Sequence, residues 1–577
     1  MARTRRVRRR APVAMETRPV PKATGQPVRL TLLAAGLIVV AAVLAYANSF
    51  AGVLIFDDIE AIAKNPHIES IFPLSRSMSA PENTTLSGRP LVSLSLAMNY
   101  AISERRLWSY HAFNLGVHIL AGLTLFGLIR RTLVSERLAN TFRQSAHWLA
   151  LVCTLIWLVH PLCTQAVTYV VQRAESMAAL LGLVTLYCTA AAHRSAREGL
   201  WQIGAVLACA AAMATKETAA VIPILVLIYD LVFLSRSPAE LARRRWAFYA
   251  GLAGTWLILA AIVLGGPRQA TAGFTLTKFT PLTYAATQCG VILHYLRLSF
   301  RPWGLVLDYG WPAVDSLSDF ALQGTGVLVL LVATAVALIR RPAVGFLGVW
   351  FFLLLAPTSS FVPIADAVFE HRMYLPLAGP VSATVIAAFV LGRRLGAAHP
   401  QASKAIAALV VVAMVSVLGV ATQMRNRDYT SQVRMWTDAT EKRPGNRRGY
   451  LELGLAYLKD GKAREAILSC TQSLRIDPRY GRAYLHRAIA YGQSGEYDKA
   501  IADFDAAIRI DPNYYHAYVN RAKAYMLKRQ WDMAVADYRK ALKLRPGDRI
   551  AAAGLQEANR AGKTKTSKGS LLDGIDD

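Results

Sequence analysis

The sequence predicts an all-α protein in two parts, a polytopic membrane domain and, behind it, a solenoid of helical hairpins. Two observations support this prediction. Hydrophobic residues make up 54% of the 577-residue chain, and apolar stretches recur from about residue 30 to residue 422. Near the C-terminus, prolines recur at intervals of 34 residues. The apolar stretches exclude a single soluble domain, and the regular interval indicates an internal repeat.

Much of the formal net charge of +28 sits in short basic runs that flank the apolar stretches. Lys and Arg are retained on the cytoplasmic side of a membrane during insertion. We therefore interpret these runs as topology signals and expect no nucleic-acid partner. The runs are Arg3 to Arg10, Arg130-Arg131, Arg243 to Arg245, Arg340-Arg341 and Arg393-Arg394.

Eleven apolar stretches are long enough, or nearly long enough, to cross a membrane, and they define a membrane domain at 30–422 surrounded by membrane lipids. If the basic segment 1–29 is cytoplasmic, alternate crossings place the later basic runs inside, which supports that orientation in an inner or plasma membrane. Two long loops, 49–110 and 266–319, then lie outside. Within the second, Tyr284 to Phe300 is expected to be an interfacial or re-entrant helix. The stretches are 30–48, 112–130, 147–162, 172–192, 200–214, 218–234, 247–265, 322–339, 343–357, 375–392 and 404–422.

The region after the last apolar stretch repeats with the period of a tetratricopeptide repeat, or TPR. Pro444, Pro478, Pro512 and Pro546 mark the interval of 34 residues. Each hairpin of such an array buries its apolar face only against a neighbour. We predict three stacked repeats and a capping helix at 445–561. Residues in matching register are Tyr450, Tyr484 and Tyr518, then Tyr457, Tyr491 and Tyr525, then Ala466, Ala500 and Ala534.

The segments on either side of the array carry no such repeat. We expect a linker at 423–444 and a disordered tail at 562–577, which is rich in Lys, Ser and Gly. An odd number of crossings places the array outside, in the periplasmic or extracytoplasmic space, on the same face as the loop 49–110.

The first outside loop carries an adjacent acidic pair, Asp57 and Asp58. Paired carboxylates at a membrane surface can serve as a general base, and because adjacent carboxylates disfavour double ionisation, one of them can have a raised pKa. The alternative interpretation is a solvated Asp that caps a helix in a connecting loop. The sequence leaves open which of the two carboxylates would take a proton.

A set of ordered stretches resembles the transmembrane-and-TPR (TMTC) proteins, O-mannosyltransferase-like members of the GT-C glycosyltransferase superfamily, over roughly residues 30 to 546. Two departures from the family pattern are Thr164-Gln165, where Thr-Glu is common, and Glu370-His371-Arg372, where a Glu-Arg pair is usual. The matching stretches are FDDIEAIAKNP (56–66), RPLVSLSLAMNY (89–100), YHAFNLGVHIL (110–120), HPLCTQAVTYVVQRAES (160–176), KET (216–218) with Pro223 and Asp230, DYGWP (308–312) and EHRMYLP (370–376).

The resemblance implies a GT-C-like membrane domain whose donor substrate is a polyprenyl-phosphate-linked sugar. It implies an inverting transfer to an acceptor hydroxyl, such as a Ser or Thr of an exported protein, with Asp57 or Asp58 as the base. The TPR groove would bind the acceptor or a partner protein. No cofactor and no metal ligands are predicted, and a divalent-metal requirement stays open.

Such a reaction needs cations that offset the negative charge growing on the departing phosphate. By the crossing order, Arg89, Arg173, Lys216 and Arg372 lie near the outside face, and we predict them as donor-phosphate ligands. The alternative for each is an interfacial side chain that extends its charge toward water. Supporting residues are predicted at Glu175, Glu217 and Tyr374.

Two other functions stay open. The chain could be a non-catalytic membrane anchor for a TPR scaffold, in which case function would depend on 445–561 and not on the acidic pair. It could also be a GT-C transferase whose acceptor is a glycan or a lipid.

Overall fold

A computed structural model describes residues 28–81, 84–235, 237–265, 279–314, 317–396 and 398–572. The basic N-terminal segment predicted at 1–29 therefore lies almost wholly outside the described residues. Within the described ranges the chain forms helices joined by loops, without a β-strand. The prediction of an all-α fold is confirmed.

Among the residues that the structure describes, seven helices are long and apolar enough to cross a membrane. They coincide with seven of the eleven apolar stretches, which confirms a domain of membrane-type helices. These helices are Val28–Ala51, Trp108–Leu133, Val170–Ala192, Trp246–Leu264, Phe320–Arg340, Ala378–Leu395 and Pro400–Asp428.

The other four apolar stretches form shorter or interrupted helices. One is a pair of helices bent by 58°, which brings the number of candidate crossings to eight at most. The bend falls at Pro161, which lacks the backbone N–H that a continuous helix needs. Eleven crossings thus stay a prediction. The helices are the bent pair Ala146–Leu158 and Pro161–Thr168, the shorter Glu198–Met213 and Pro342–Leu355, and Glu217–Val221 followed by Ile222–Phe233.

The two predicted outside loops contain helices of their own. In the first, Pro90–Ser103 follows short turns at Ile59–Ala63, Pro66–Ile68 and Leu74–Ser77. In the second, Pro281–Phe300 begins with a capping box formed by the side chains of Thr280 and Thr283. Its interfacial placement stays a prediction.

The three predicted repeats are confirmed as helical hairpins. Ala466, Ala500 and Ala534 are each fully buried where the paired helices meet, as the register predicts. The turns inside the first two hairpins contain Gly461 and Gly495 at positive φ. The hairpins are Arg447–Lys459 with Ala463–Ile476, Gly481–Gln493 with Tyr497–Ile510, and Tyr515–Leu527 with Trp531–Leu544.

Helices also extend on both sides of the array. The segment 423–444 contains the helix Gln432–Lys442. The capping helix Arg549–Leu572 continues into the tail expected to be disordered. No proline interrupts this stretch, so the backbone can keep its helical hydrogen bonds. The last residues of that predicted tail, 573–577, lie outside the described ranges.

The start of the array packs directly on the first outside loop. Ile55 and Ala61 from the loop share one buried apolar cluster with Trp436 and Leu453 from the array side. The Gln432 side chain donates to the backbone carbonyl of Leu54 at 2.9 Å. The acidic loop and the base of the array therefore form one packed unit, which positions the candidate site.

Candidate functional site

Asp58 is fully buried and anchors the acidic loop. One carboxylate oxygen accepts the backbone N–H of Val171 at 2.8 Å, and the other accepts that of Ile55 at 3.3 Å. Burial raises the pKa of Asp58 to about 8, although these two hydrogen bonds act in the opposite direction. Asp58 thereby holds the loop against the membrane domain, and its side chain is closed to solvent.

Asp57 is partly exposed and lies at a strained point of the same loop. Its backbone N–H donates to the Tyr169 hydroxyl at 2.9 Å. The preceding Phe56 has φ 44°, a left-handed conformation that non-glycine residues adopt at an energetic cost and that clusters at functional sites. Of the two residues, Asp58 is buried whereas Asp57 is partly exposed.

The surroundings of Asp57 tune its ionisation. Burial raises its pKa to about 6, and the nearby carboxylate of Asp366 acts in the same direction. The Tyr169 hydroxyl and the charges of Arg448 and Arg89 lower it. Asp57 therefore carries its charge at neutral pH and takes up a proton within one to two pH units of it, as a general base requires.

The positive charge of Arg89 acts on Asp57 in the acidic loop and lowers its pKa. Arg89 immediately precedes the helix Pro90–Ser103, and its Nη2 donates to Glu217 at 2.9 Å. Among the described residues, its buried Nε has no hydrogen-bond partner. Arg89 thus retains donor capacity for an anion.

Lys216 is buried in an ion pair with Glu175. The two acidic residues predicted as supports do not pair with the cations next to them in sequence. Glu175 pairs with Lys216 and not with Arg173, and Glu217 pairs with Arg89 and not with Lys216. Both pairings join residues that lie far apart in the chain, so the local spacing could not predict them.

Arg173 is fully buried and is occupied by protein contacts. Its guanidinium donates to Asn99 at 2.5 Å, to Ser95 at 3.3 Å and to the carbonyl of Tyr110 at 3.1 Å. It also lies 4.7 Å from the ring centroid of Phe113. Two of these contacts hold the helix Pro90–Ser103, which carries Ser95 and Asn99. The structure thus gives Arg173 a positioning role and does not present it to a phosphate.

Arg372 and Tyr374 are likewise held inside the protein. Arg372 donates to the backbone carbonyls of Asp366 and Ala367, each at 2.7 Å. Tyr374 is fully buried and bonds His118 at 2.7 Å. Arg372 therefore orders the loop that carries Asp366, whereas Tyr374 belongs to the helix core.

The two departures from the family pattern contact each other. The Gln165 side-chain oxygen accepts the backbone N–H of His371 at 2.7 Å and lies 3.0 Å from its ring Nδ1. The pKa of His371 is lowered well below its usual value, first by burial and then by the charges of Lys216, Arg372 and Arg89. Burial and these positive charges together favour the neutral imidazole.

Sequence patterns missed an ionic group contributed by the array. Arg448, the second residue of the first repeat helix, donates from Nε to Asp308 at 2.6 Å and from Nη2 to Asp366 at 2.7 Å. Its guanidinium also lies 5.6 Å from the ring centroid of Phe56. Asp308 stands in the DYGWP stretch, but nothing in its spacing indicates a partner 140 residues later.

Among the residues that the structure describes, no group of three or more His, Cys, Asp or Glu side chains is arranged to hold a metal ion.

Comparisons with known proteins identify the repeats and a group of relatives. The tetratricopeptide-repeat family matches residues 481–514 and 515–548, and a second tetratricopeptide-repeat profile matches 422–481. The chain is 24% identical over 483 residues to the protein O-mannosyl-transferase TMTC4 of Mus musculus, covering 74% of this chain and 64% of the relative. It is 25% identical over 530 residues to the protein O-mannosyl-transferase Tmtc3 of Drosophila melanogaster, covering 79% and 56%.

The chain resembles the TMTC proteins over most of its length. The resemblance predicted from the motifs is thereby confirmed. A further relative, the protein O-mannosyl-transferase F38B6.6 of Caenorhabditis elegans, is 21% identical over 490 residues and is matched over 65% of its length. The chain thus spans less than two-thirds of the TMTC relatives it matches. Among solved structures, the Sgt2 TPR domain from Aspergillus fumigatus is 25% identical over 21% of this chain and 82% of that one, with a TM-score of 0.21.

Proposed function

We propose that this chain is a membrane glycosyltransferase that moves a sugar from a polyprenyl-phosphate donor to an acceptor hydroxyl, with Asp57 as the general base. The observation that carries the proposal is the division of labour in the acidic pair. Asp58 is fully buried with each oxygen bound to a backbone N–H, whereas Asp57 is partly exposed and has a pKa of about 6. The names of the TMTC relatives support sugar transfer, with mannose as the first sugar to test.

In the proposed reaction, Asp57 accepts the proton of the acceptor hydroxyl. The hydroxyl oxygen attacks the anomeric carbon of the sugar, and the bond from that carbon to the phosphate oxygen breaks. The electron pair of the broken bond leaves on the phosphate. Attack from the face opposite the phosphate inverts the anomeric configuration.

The growing charge on the phosphate requires a positive counterpart. Arg89 is the best-suited first ligand, because it acts on Asp57 electrostatically and keeps an unpartnered Nε. Lys216 and Arg372 supply further positive charge, which also acts on His371. Arg173 is a positioning residue, because its hydrogen bond to Asn99 holds the helix Pro90–Ser103.

The repeat array would bring the acceptor to this site. Stacked helical hairpins form a groove that binds peptide segments, and the first repeat here lies against the acidic loop. The acceptor is then a Ser or Thr hydroxyl of an exported protein on the non-cytoplasmic face. A membrane-embedded donor and a protein-borne acceptor would meet where the two parts of the chain join.

Replacement of the base tests the proposal. Membranes containing the full chain would be supplied with polyprenyl-phosphate mannose labelled in the sugar, and transfer to exported proteins would be counted. We expect Asp57→Asn to reduce transfer roughly 100-fold or more, the usual effect of removing a general base. Asp58→Asn should reduce it less, because an amide retains one oxygen acceptor for the loop.

Glu60→Gln is the matched control. Glu60 lies on the same loop and pairs with Lys64 at 2.7 Å on the exposed surface. It should leave transfer unchanged. Full transfer by Asp57→Asn would remove Asp57 from the mechanism.

A further inference from the structure

Arg448, a residue of the first repeat, forms ionic contacts with the membrane domain. Arg448 joins Asp308 and Asp366, which belong to two loops 58 residues apart (366 − 308) in the chain, and the guanidinium lies over the Phe56 ring. The side chain of Arg448 is about three-quarters buried at this junction. Three separate segments of the membrane domain therefore converge on one residue of the array.

The surrounding contacts show that the junction is specific. Asn446 donates to the backbone carbonyl of Asp308 at 3.1 Å, and Lys442 donates to that of Leu305 at 3.0 Å. At Gly310, with φ 52°, an added Cβ would lie 2.8 Å from the Asn446 side chain. The two surfaces thus meet so closely that a single methyl group would separate them.

We propose that Arg448 is a positioning residue of the Asp57 site, and that it holds the Phe56-Asp57 segment and the Asp366 loop in place only while the repeat array is docked. The inference rests on the proposed function where catalysis is measured, and on the geometry alone where docking is measured. It makes the first repeat a structural part of the site.

The guanidinium is chemically required for this role. Its planar fork can donate to two carboxylates in fixed directions and still lie flat against an aromatic ring. An ammonium group at this position would retain the positive charge but could not hold both loops and the ring in the same geometry. Arg448→Lys therefore separates charge from geometry.

Charge is the second contribution. The groups that act on Asp57 are Asp366, Tyr169, Arg448 and Arg89, and the charge of Asp57 in turn raises the pKa of the adjacent Asp58. Arg448 favours the ionised form of Asp57, so its loss raises the pKa of the base. Because Asp57 must be ionised to accept a proton, the acidic limb of the pH profile should then move to higher pH.

Two measurements on the full chain in nanodiscs test the proposal. The first is the pH profile of mannose transfer from labelled polyprenyl-phosphate mannose. We expect Arg448→Gln to lower the rate roughly tenfold or more and to move the acidic limb upward by about one pH unit. Arg448→Lys should keep the wild-type limb while the rate stays low.

The second measurement is hydrogen exchange of the backbone amides at 53–64. We expect exchange to be roughly tenfold faster or more in Arg448→Gln, because the loop loses its cover. Gly310→Ala keeps Arg448 but separates the surfaces, and it should also accelerate this exchange. Arg487→Gln removes an arginine that pairs with Asp503 within the second repeat, and it should change neither measurement.

The outcomes separate this proposal from the proposed function. If the wild type transfers sugar and Arg448→Gln keeps both its pH profile and its amide protection, the positioning role is rejected while the transferase stands. If neither the wild type nor any variant transfers sugar but Arg448→Gln exposes the loop, the transferase is rejected and the docking role stands. Equal acceleration in Arg487→Gln would also reject the proposal, because the effect would then reflect array stability alone.

Discussion

The first repeat and the two that follow it share one backbone plan but use it differently. At the second helical position, the first repeat has Arg448, bound to carboxylates of the membrane domain, whereas the next two have Arg482 and His516 on the open array. Five residues further on, the first repeat has the buried Leu453, and the second has Arg487 paired with Asp503. The same scaffold thus provides a docking surface at its base and a free groove beyond it.

This difference shows how a repeat array can be joined to a domain of membrane-type helices without a dedicated linker domain. The first repeat has Leu453 where the second has the charged Arg487, and its Arg448 pairs with carboxylates of the membrane domain. The later repeats keep the solvated side chains that a binding groove needs.

The largest effect is expected from charge placed inside the docking surface. Leu453→Asp would bury a carboxylate without a partner in the cluster shared with Ile55, a change that costs several kcal/mol. We expect the array to undock, with rapid proteolytic cleavage between the last membrane helix and the first repeat. Leu468→Asp, on the exposed side of the same repeat, is the control and should leave cleavage slow. Equal resistance of both variants would contradict the docking surface.

A smaller effect is expected inside the array. Arg487→Gln leaves Asp503, which is 7% exposed, without its paired charge. We expect a loss of about 1–3 kcal/mol in the stability of the array, measured by thermal unfolding of the full chain. The acidic limb of transfer should not move. A shift in that limb would mean that the second repeat also contributes to the site.

Changes in the groove should act on binding more than on catalysis. Arg482 lies 3.5 Å from Glu452 of the preceding repeat, and the pKa of His486 is lowered to about 4 by burial and then by Arg482 and His516. We expect the pair Arg482→Ala and His516→Ala to raise the KM for a protein acceptor several-fold with kcat nearly constant. A fall in kcat at unchanged KM would place these residues in the reaction itself.

The smallest effect is expected at a turn. The hairpin turns contain Gly461 and Gly495 at positive φ, but the third repeat has Arg529 there at φ 59°. A glycine adopts this conformation without the steric cost of a side chain. We expect Arg529→Gly to stabilise the array by about 0.5–1 kcal/mol in thermal unfolding. Destabilisation would show that the Arg529 side chain contributes more than the strained backbone costs.

Local patterns predicted the parts of the molecule that depend on local physics. The 34-residue spacing located all three hairpins, because each repeat is one folding unit with its own register. The acidic pair located the candidate base, because Asp57 and Asp58 are adjacent. Their opposite environments were not predictable, since Val171, which binds Asp58, lies 113 residues away.

Long-range pairing explains what the sequence did not show. Glu217 was predicted as a supporting residue, but the sequence did not indicate that it pairs with Arg89, 128 residues earlier. Arg173 has the charge of a phosphate ligand, and its burial against Asn99 gives it another role. The sequence around Arg448 predicts an ordinary exposed residue of a repeat. Only the folded chain brings it to Asp308 and Asp366.

The apolar contact between the acidic loop and the array has a consequence for biosynthesis. The ribosome makes Leu54 378 residues before Gln432, whose side chain binds it in the folded protein. During that interval Ile55 and Ala61 lack the residues that will cover them. We expect the nascent membrane domain to insert while its acidic loop is not yet fully packed. The loop should reach its final conformation only after the first repeat has been translated.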